Sequence, residues 1–375
     1  MRYDEGMRIL YGVVGEGMGH AMRSRVILDE LVKRHEVKVV VSGRAHEYLQ
    51  KRLGTGADVH KIWGFSIVTE DNEVRSFKTV LENVKGAITG GWPKNVKTYF
   101  ELAEKFRPEV VISDFESWSY LFARNWRLPV ISIDNMQIIN RTTLPEQITA
   151  GVETEFQLAK ALVKSKVPGA FHYFITTFFH PPIRKPRTSL HPPILRPEIL
   201  AAKSEPGEHL LVYQTNTTNQ ELPAILQRSG RECRIYGLRR DLKAPVTEGN
   251  LTYKPFSEQG FIDDLRTAKG VIASAGFTLM GEAVYLHKPM LAEPVGGQFE
   301  QVLNSRYLEL NRYGLSAEPL SEAKLAEFLS RLPEFEQSLA GYSQDGNNDL
   351  LGKLEEMLQL AASGREHEEG EVSLG

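Results

Sequence analysis

Short, almost wholly apolar runs rich in β-branched residues alternate along the chain with amphipathic stretches. The runs are RILYGVVG (8–15), EVKVVVSG (36–43), PEVVISD (108–114) and PVISIDN (129–135). Between them lie AMRSRVILDELVKRH (21–35), with Val26, Ile27, Leu31 and Val32 at helical spacing, then HEYLQKRL (46–53) and SYLFARNWRL (119–128). Strands without polar alternation are buried on both faces, so the pattern predicts a parallel sheet covered by helices on each side. Right-handed crossovers then give a doubly wound α/β domain. The texture breaks at 181–207, where seven prolines exclude helix interiors and central strands and predict an extended interdomain linker. It resumes with HLLVYQT (209–215), ELPAILQRSG (221–230), ECRIYG (232–237), KGVIASAG (269–276) and KPMLAEPV (288–295). The predicted organisation is an extension at 1–7, an α/β domain at 8–180, the linker at 181–207 and a second α/β domain at 208–345. A helix capped by Asn or Asp follows at 346–362, and an acidic disordered tail at 363–375.

A length of 375 residues with 41% hydrophobic and 25% charged positions suits two such cores. The net charge of −3 hides a split. Residues 1–200 carry 28 Lys+Arg against 22 Asp+Glu, and 201–375 carry 17 against 26, which is +6 beside −9. Two halves of opposite sign point to two domains with different partners. The lone Cys233 excludes an internal disulfide and a cysteine metal cluster. No apolar run approaches the roughly 18 residues of a membrane span, and MRYDEGMRIL is too acidic for a signal peptide. The expected location is therefore the cytoplasm.

The turn after the first strand, Gly15-Glu16-Gly17-Met18-Gly19-His20, opens a helix, and its glycines admit close backbone approach. Its G-x-G-x-G-H spacing is not the dinucleotide fingerprint, and the second strand ends in Ser42-Gly43 where a ribose-binding acid would stand, so NAD is not expected. What remains is a histidine at the carboxyl end of a parallel sheet, read either as functional or as a partly exposed residue near a helix start. Asp114 closes a strand expected beside the first and can accept from Nδ1–H of His20, leaving Nε2 as a general base. Asp114 equally suits the N-cap of the next helix. In the second half, Ala273-Ser274-Ala275-Gly276-Phe277-Thr278 ends a strand and opens a helix that carries Glu282, a turn suited to phosphates, with Glu282 an acceptor for a ribose diol. A later loop, 294–297, leads into Glu300, Gln301 and Asn304, polar groups that suit a hydroxyl-rich ligand, Glu300 and Asn304 sharing a helix face.

These motifs resemble GT-B glycosyltransferases, near both the UDP-glycosyltransferases and the lipid-linked N-acetylglucosaminyltransferase of peptidoglycan synthesis. Ser274 to Glu282 aligns without a gap on the H-C-G-W-N-S-x-x-E of the former, and Glu300-Gln301-Val302-Leu303-Asn304-Ser305 on their D-Q-x-x-N-A. Phe261-Ile262-Asp263-Asp264-Leu265 is similar to a stretch of the latter. The resemblance implies a GT-B architecture, two Rossmann-like domains facing across a cleft, and an enzyme that moves a sugar from a UDP-sugar to a hydroxyl. It implies His20 as base oriented by Asp114, Gly15, Gly17 and Gly19 lining the acceptor side, and Ile262 touching uracil through its backbone. Ser274, Ala275, Gly276 and Thr278 would hold the diphosphate, Glu282 the ribose, and Glu300 with Gln301 the sugar hydroxyls. Ser274 and Leu279 depart from the family's histidine and serine, leaving more of the phosphate contact to backbone N–H groups.

No metal and no cofactor are expected, because a helix N-terminus can meet the leaving phosphate and the Asp263-Asp264 pair reads as helix capping and charge solvation. Single displacement predicts inversion. Two other functions stay open: a UDP-sugar 2-epimerase, whose acid/base motifs are not visible, and a catalytically silent nucleotide-sugar-binding subunit. The expected partners are a nucleotide sugar and a hydroxyl acceptor, lipid-linked or small, and no nucleic acid. Segment 154–180 combines Lys160, Lys164 and Lys166 with Phe156, Leu158 and Leu162. It reads either as a contact with an anionic membrane surface, at the inner face of the membrane, or as a surface helix followed by a buried strand.

Overall fold

Two seven-stranded sheets carry the chain. The first is built from β1 (Arg8–Val13), β2 (Glu36–Val41) and β3 (Asp58–Lys61), with β4 (Thr69–Glu70) and β5 (Glu73–Val74) paired only with each other outside it. It continues through β6 (Val110–Asp114), β7 (Val130–Asp134), β8 (His172–Thr176) and β9 (Thr188–His191), in the spatial order β3-β2-β1-β6-β7-β8-β9 and parallel throughout. This is a computed structural model of the chain, and it describes residues 6–15, 17–54, 56–63, 69–70, 73–74, 92–214 and 220–364. The second sheet comprises β10 (Leu210–Tyr213), β11 (Cys233–Tyr236), β12 (Val246–Glu248), β13 (Leu251–Lys254), β14 (Gly270–Ser274), β15 (Met290–Glu293) and β16 (Gly314–Ser316). Its order is β12-β13-β11-β10-β14-β15-β16, antiparallel only at the β12 edge.

The same topology governs both halves. Each first strand lies between the second strand and a later one, so the order reverses there, and ligands of open α/β sheets bind at that crevice beyond the strands' carboxyl ends. In the first sheet the reversal puts Val13 opposite Asp114. In the second it puts Tyr213 opposite Ala273, just before the Ser274 turn. The strands are apolar because both faces are covered: every residue of β6, β7 and β8 is buried.

The proline-rich segment departs from the expected linker. Four of its residues, between Pro186 and Pro192, form β9 on the outer edge of the first sheet, so that sheet runs to His191 and not to 180. The strand itself holds no proline: Pro186 and Pro192 flank it, and an edge strand needs only one side of its ladder. A short helix, Pro197–Leu200, starts with proline at its first position. The C-terminal helix Asn348–Ala362 begins as expected after Asn347, but its apolar stripe (Leu350, Leu354, Met357, Leu358, Ala361) joins the core of the first domain. Asn347 makes no side-chain cap; its amide instead bonds both the N–H and the carbonyl of Leu195, at 2.9 and 2.8 Å. Of the proposed extension, residues 1–5 lie outside the described residues, while Met7 already accepts from the N–H of Glu36. Residues 365–375 of the proposed tail also lie outside them.

A polar chain ties β8 and β9 to that last helix. Ser189 Oγ lies 2.8 Å from His172 Nε2 and 2.7 Å from His191 Nε2, and His191 Nδ1 is 2.5 Å from Asp349 Oδ2. With Nδ1–H given to Asp349, His191 Nε2 accepts from Ser189, whose oxygen accepts in turn from His172. Burial lowers His191 below its ordinary 6.5, against the pull of Asp349. The folded state thus binds fewer protons there than the unfolded chain. The stability it contributes is present above pH 6.5 and is lost as pH falls through the folded value. Thermal melts from neutral to mildly acidic pH should fall below 6.5 for the wild type and fall less for His191→Gln; parallel curves would remove the effect.

Candidate active site

The helix Met18–Leu31 starts from Gly17, whose φ of +78° favours glycine. Gly15 sits where any Cβ would meet the Ser42 carbonyl oxygen at 2.1 Å, and a Cβ on Gly19 would meet Thr278 Oγ1 at 2.6 Å. Gly15 therefore packs the turn onto β2, whereas Gly19 faces the second domain. Glu16, between them, lies outside the described residues. Thr278 is in the first turn of the helix Phe277–Tyr285, so two helix N-termini, one from each domain, converge on the cleft. Neither has a side-chain cap or an acid in its first turn. By contrast, Ser257 caps 258–266, Ser321 caps 322–330 and Glu116 caps 117–126.

His20 Nδ1 lies 2.8 Å from Asp114 Oδ1, the pairing expected from the strand order. The cap role also open to Asp114 belongs to Glu116, which accepts from the N–H groups of Trp118 and Ser119 at 2.8 and 2.6 Å. Asp114 is instead fully buried among donors. Arg23 Nε reaches Oδ2 at 2.9 Å, its Nη2 reaches Oδ1 at 2.5 Å, and Ser24 Oγ reaches Oδ2 at 2.8 Å. Burial alone would raise the Asp114 carboxyl, but the charge of Arg23 and its pairing with His20 hold it well below the usual carboxylate range. Nearby Asp134, with less help from Arg23, is pushed up to about 6 by burial. Arg23 Nη2 also stands 2.6 Å from His20 Nδ1. A proton on Nδ1 given to Asp114 leaves Nε2 a lone pair; an Nδ1 accepting from Arg23 would leave Nε2 protonated.

In the second domain β14 delivers the Ser274–Gly276 turn to the rim. Asn304, buried on the helix Phe299–Leu310, donates to the Ala275 carbonyl at 3.1 Å and braces that turn. Gly276 N–H is taken by the Ser274 carbonyl at 2.8 Å, so of the expected contacts it points inward. The N–H groups of the first turn, Phe277 to Leu279, are the ones a helix leaves without intrahelical partners.

Three other residues depart from the sequence expectation. Ile262 sits inside the helix Glu258–Arg266 with its side chain in the core, and at the fifth helical position its N–H belongs to the helix ladder, so it has no free donor for a base. Glu282 is buried, and both its oxygens are held by Arg196, Nε at 2.8 Å and Nη2 at 2.9 Å; Arg196 Nη1 also holds Glu258 at 2.9 Å. Burial raises the Glu282 carboxyl while Arg196 opposes it. Any ribose contact must use the lone pairs the guanidinium leaves. Gln301 turns back on its own loop, accepting from Val295 N–H at 3.1 Å and donating to Gln298 at 2.8 Å. Glu300, by contrast, faces across the cleft, where Asn135 Nδ2 donates to its Oε1 at 2.5 Å. Asp264 is no cap; buried, it accepts from Arg234 (2.8 Å), Tyr236 (2.6 Å) and Lys254 (2.6 Å). Beside the Glu300 loop, a cavity of about 350 Å³ opens between Val152 and Glu155 of the first domain and Gly296, Gly297 and Gln298 of the second.

Among the described residues no group of three His, Cys, Asp or Glu side chains could hold a metal ion, and no helix is long and apolar enough to cross a membrane. The sequence profile of glycosyl transferase family 1 matches residues 7–333. The chain belongs to that family. This family 1 glycosyltransferase is 29% identical over 130 residues to an uncharacterized glycosyltransferase of Methanosarcina acetivorans, and 29% over 131 residues to one of Methanosarcina mazei. Each match takes in 34% of this chain, which spans about a third (33%) of the length of those relatives. Among solved structures, it is similar to the glycotransferase of kitacinnamycin, at 15% identity and a TM-score of 0.66 over 94% of this chain and 99% of that one. It is also similar to the calicheamicin glycosyltransferase CalG4 (15%, 0.62, over 96% and 99%) and to LpCGTa in complex with UDP (12%, 0.64, over 96% and 100%). The fold is GT-B, and membership of family 1 makes the chain a glycosyltransferase.

Proposed function

We propose that the enzyme transfers a sugar from UDP to a hydroxyl by single displacement, with inversion and without a metal. The observation that carries this reading is the 2.8 Å contact of His20 Nδ1 with Asp114 at the mouth of the cleft. A hydroxyl is a weak nucleophile and needs its proton removed as it attacks. With Nδ1–H given to Asp114, Nε2 of His20 takes that proton. The acceptor oxygen forms its bond to the anomeric carbon as the bond from that carbon to the β-phosphate oxygen breaks, and the electron pair leaves on UDP. The growing phosphate charge falls where two uncapped helix N-termini meet, at Gly19 and Thr278, with Ser274 and Ala275 beside them. Glu300, which faces the cleft, is read as the ligand of the sugar hydroxyls, and Glu282 keeps the ribose role through its remaining lone pairs. UDP as the nucleotide is supported by the motif resemblance and by its presence in the complex of LpCGTa.

The acceptor is read as lipid-linked or small, and the helix Glu153–Lys166 bears on where it is met. Phe156 packs on Phe299 with ring centroids 5.2 Å apart, whereas Leu158 and Leu162 are 68% and 43% exposed. Close by, Lys185 is lowered by partial burial and by the like charges of Arg184, Arg141, Lys164 and Lys160. Exposed leucines on this helix, with Lys160, Lys164, Arg184 and Lys185 grouped close by, suit an anionic membrane surface, worth about 1 kcal/mol per Lys or Arg near it.

His20→Ala should lower UDP release by about 10²–10⁴-fold while leaving UDP affinity intact, and the wild-type product, followed by NMR, should carry the opposite anomeric configuration to the donor. Near-normal turnover, or retention, would defeat this mechanism. In flotation with vesicles, the protein should rise with anionic lipid at low salt, stay behind with neutral lipid, and lose binding when Lys160, Lys164 and Lys185 are changed to glutamate. Equal recovery in all arms would reject the membrane surface.

A further inference from the structure

Arg23 is joined to more than Asp114. Its third nitrogen, Nη1, donates to Asn135 Oδ1 at 2.5 Å, and Asn135 Nδ2 donates to Glu300 Oε1 at 2.5 Å. The bonds run without a gap from His20 through Asp114, Arg23 and Asn135 to Glu300. The first four residues stand on the first domain, on the helix Met18–Leu31 and at the ends of β6 and β7; the fifth opens the helix Phe299–Leu310 of the second.

Other polar bridges cross between the domains. Arg52 pairs with Glu258, and Arg306 Nη1 donates to the carbonyls of Ile148 and Ala150, at 3.0 and 2.8 Å. None of these touches His20 or Asp114. The chain through Arg23 does, and its middle members are shielded: Arg23 and Asn135 are each 5% exposed. The Asn135 amide has one workable orientation, because Arg23 offers only donors and Glu300 only acceptors. A carboxylate at 135 would serve Arg23 but face Glu300 with like charge. A residue without the amide would leave Glu300 unheld from this side and one arm of a buried guanidinium unpaired.

We infer that Arg23 and Asn135 are positioning residues that register the base of one domain against the sugar-binding carboxylate of the other. Asn135, in the acceptor-side domain, is thereby a determinant of donor-sugar affinity. The inference rests on the reading of His20 as base and Glu300 as a sugar ligand. Arg23 acts at the other end: its fork fixes both oxygens of Asp114, so the carboxylate keeps one orientation for Nδ1–H of His20.

The test sets Asn135→Ala and Asn135→Asp beside the wild type. Titration calorimetry measures UDP and the UDP-sugar, drawn from a panel, that the wild type turns over fastest; steady-state kinetics follow UDP release. UDP affinity should hold within about twofold, while KM for the UDP-sugar rises about tenfold or more in Asn135→Ala and further in the near-isosteric Asn135→Asp. For Arg23→Ala, kcat should fall and added guanidinium should restore part of it, which a merely structural role would not allow. Equal loss of UDP and UDP-sugar affinity, an unchanged KM in a folded Asn135→Asp, or no rescue of Arg23→Ala would each overturn the inference. Failure of the underlying function shows in the wild type, which would release UDP from no sugar of the panel and take the inference with it.

Discussion

Everything at the cleft hangs on the buried carboxylate of Asp114. It accepts from His20, twice from Arg23 and once from Ser24. A carboxylate taken out of water costs several kcal/mol unless charge and hydrogen bonds meet it, and truncating one partner of such a pair leaves the other stranded. Arg23 supplies the opposite charge, and together the donors fill the sites a carboxylate can offer. The same set of bonds that makes the burial tolerable also fixes the ring of His20. On the proposed mechanism, stability and chemistry are thus served by one constellation, at the point where β1 and β6 part.

Around that point the two domains present matching ends. Parallel sheets bring helix N-termini to one rim, and here two of them meet, Gly19 against Thr278. A side chain at Gly19 would crowd the Thr278 hydroxyl. An apolar cluster runs beneath the cleft, with Phe178 stacked on Phe277 at 6.0 Å and Phe179 on Tyr307 at 3.8 Å, so hydrophobic burial holds the polar rims face to face. Under the proposed function, dipoles and not a cluster of lysines meet negative charge at the donor side. This reconciles an acidic second half of the chain, −9 over residues 201–375, with a phosphate-bearing substrate.

Much of this was legible in the residues. Apolar runs without alternation announce parallel sheets, and an aspartate closing the strand next to the first places it beside His20. Arg23 and Ser24 stand out by no motif of their own. The signal was present, since they stand three and four residues after His20 and so share its helix face. Asn135 and Arg196 could not be found this way. Their partners lie 165 and 86 residues distant, in the second domain, and only the folded arrangement of the chain brings them together. The proline count misled about 188–191 because it excludes central strands and says nothing against an edge. Ile262 misled because a motif's spacing does not reveal that the helix has begun four residues earlier, at Glu258.

The central claim is that Asp114 fixes His20 with its proton on Nδ1 and a lone pair on Nε2. Nitrogen-15 NMR of the histidine-labelled enzyme reads the tautomer directly, with His20→Gln assigning the signal. The predicted spectrum shows His20 protonated on Nδ1, with that form lost in Asp114→Asn. A His20 protonated on Nε2 in the wild type, accepting from Arg23 at Nδ1, would contradict the claim and leave the enzyme without its base.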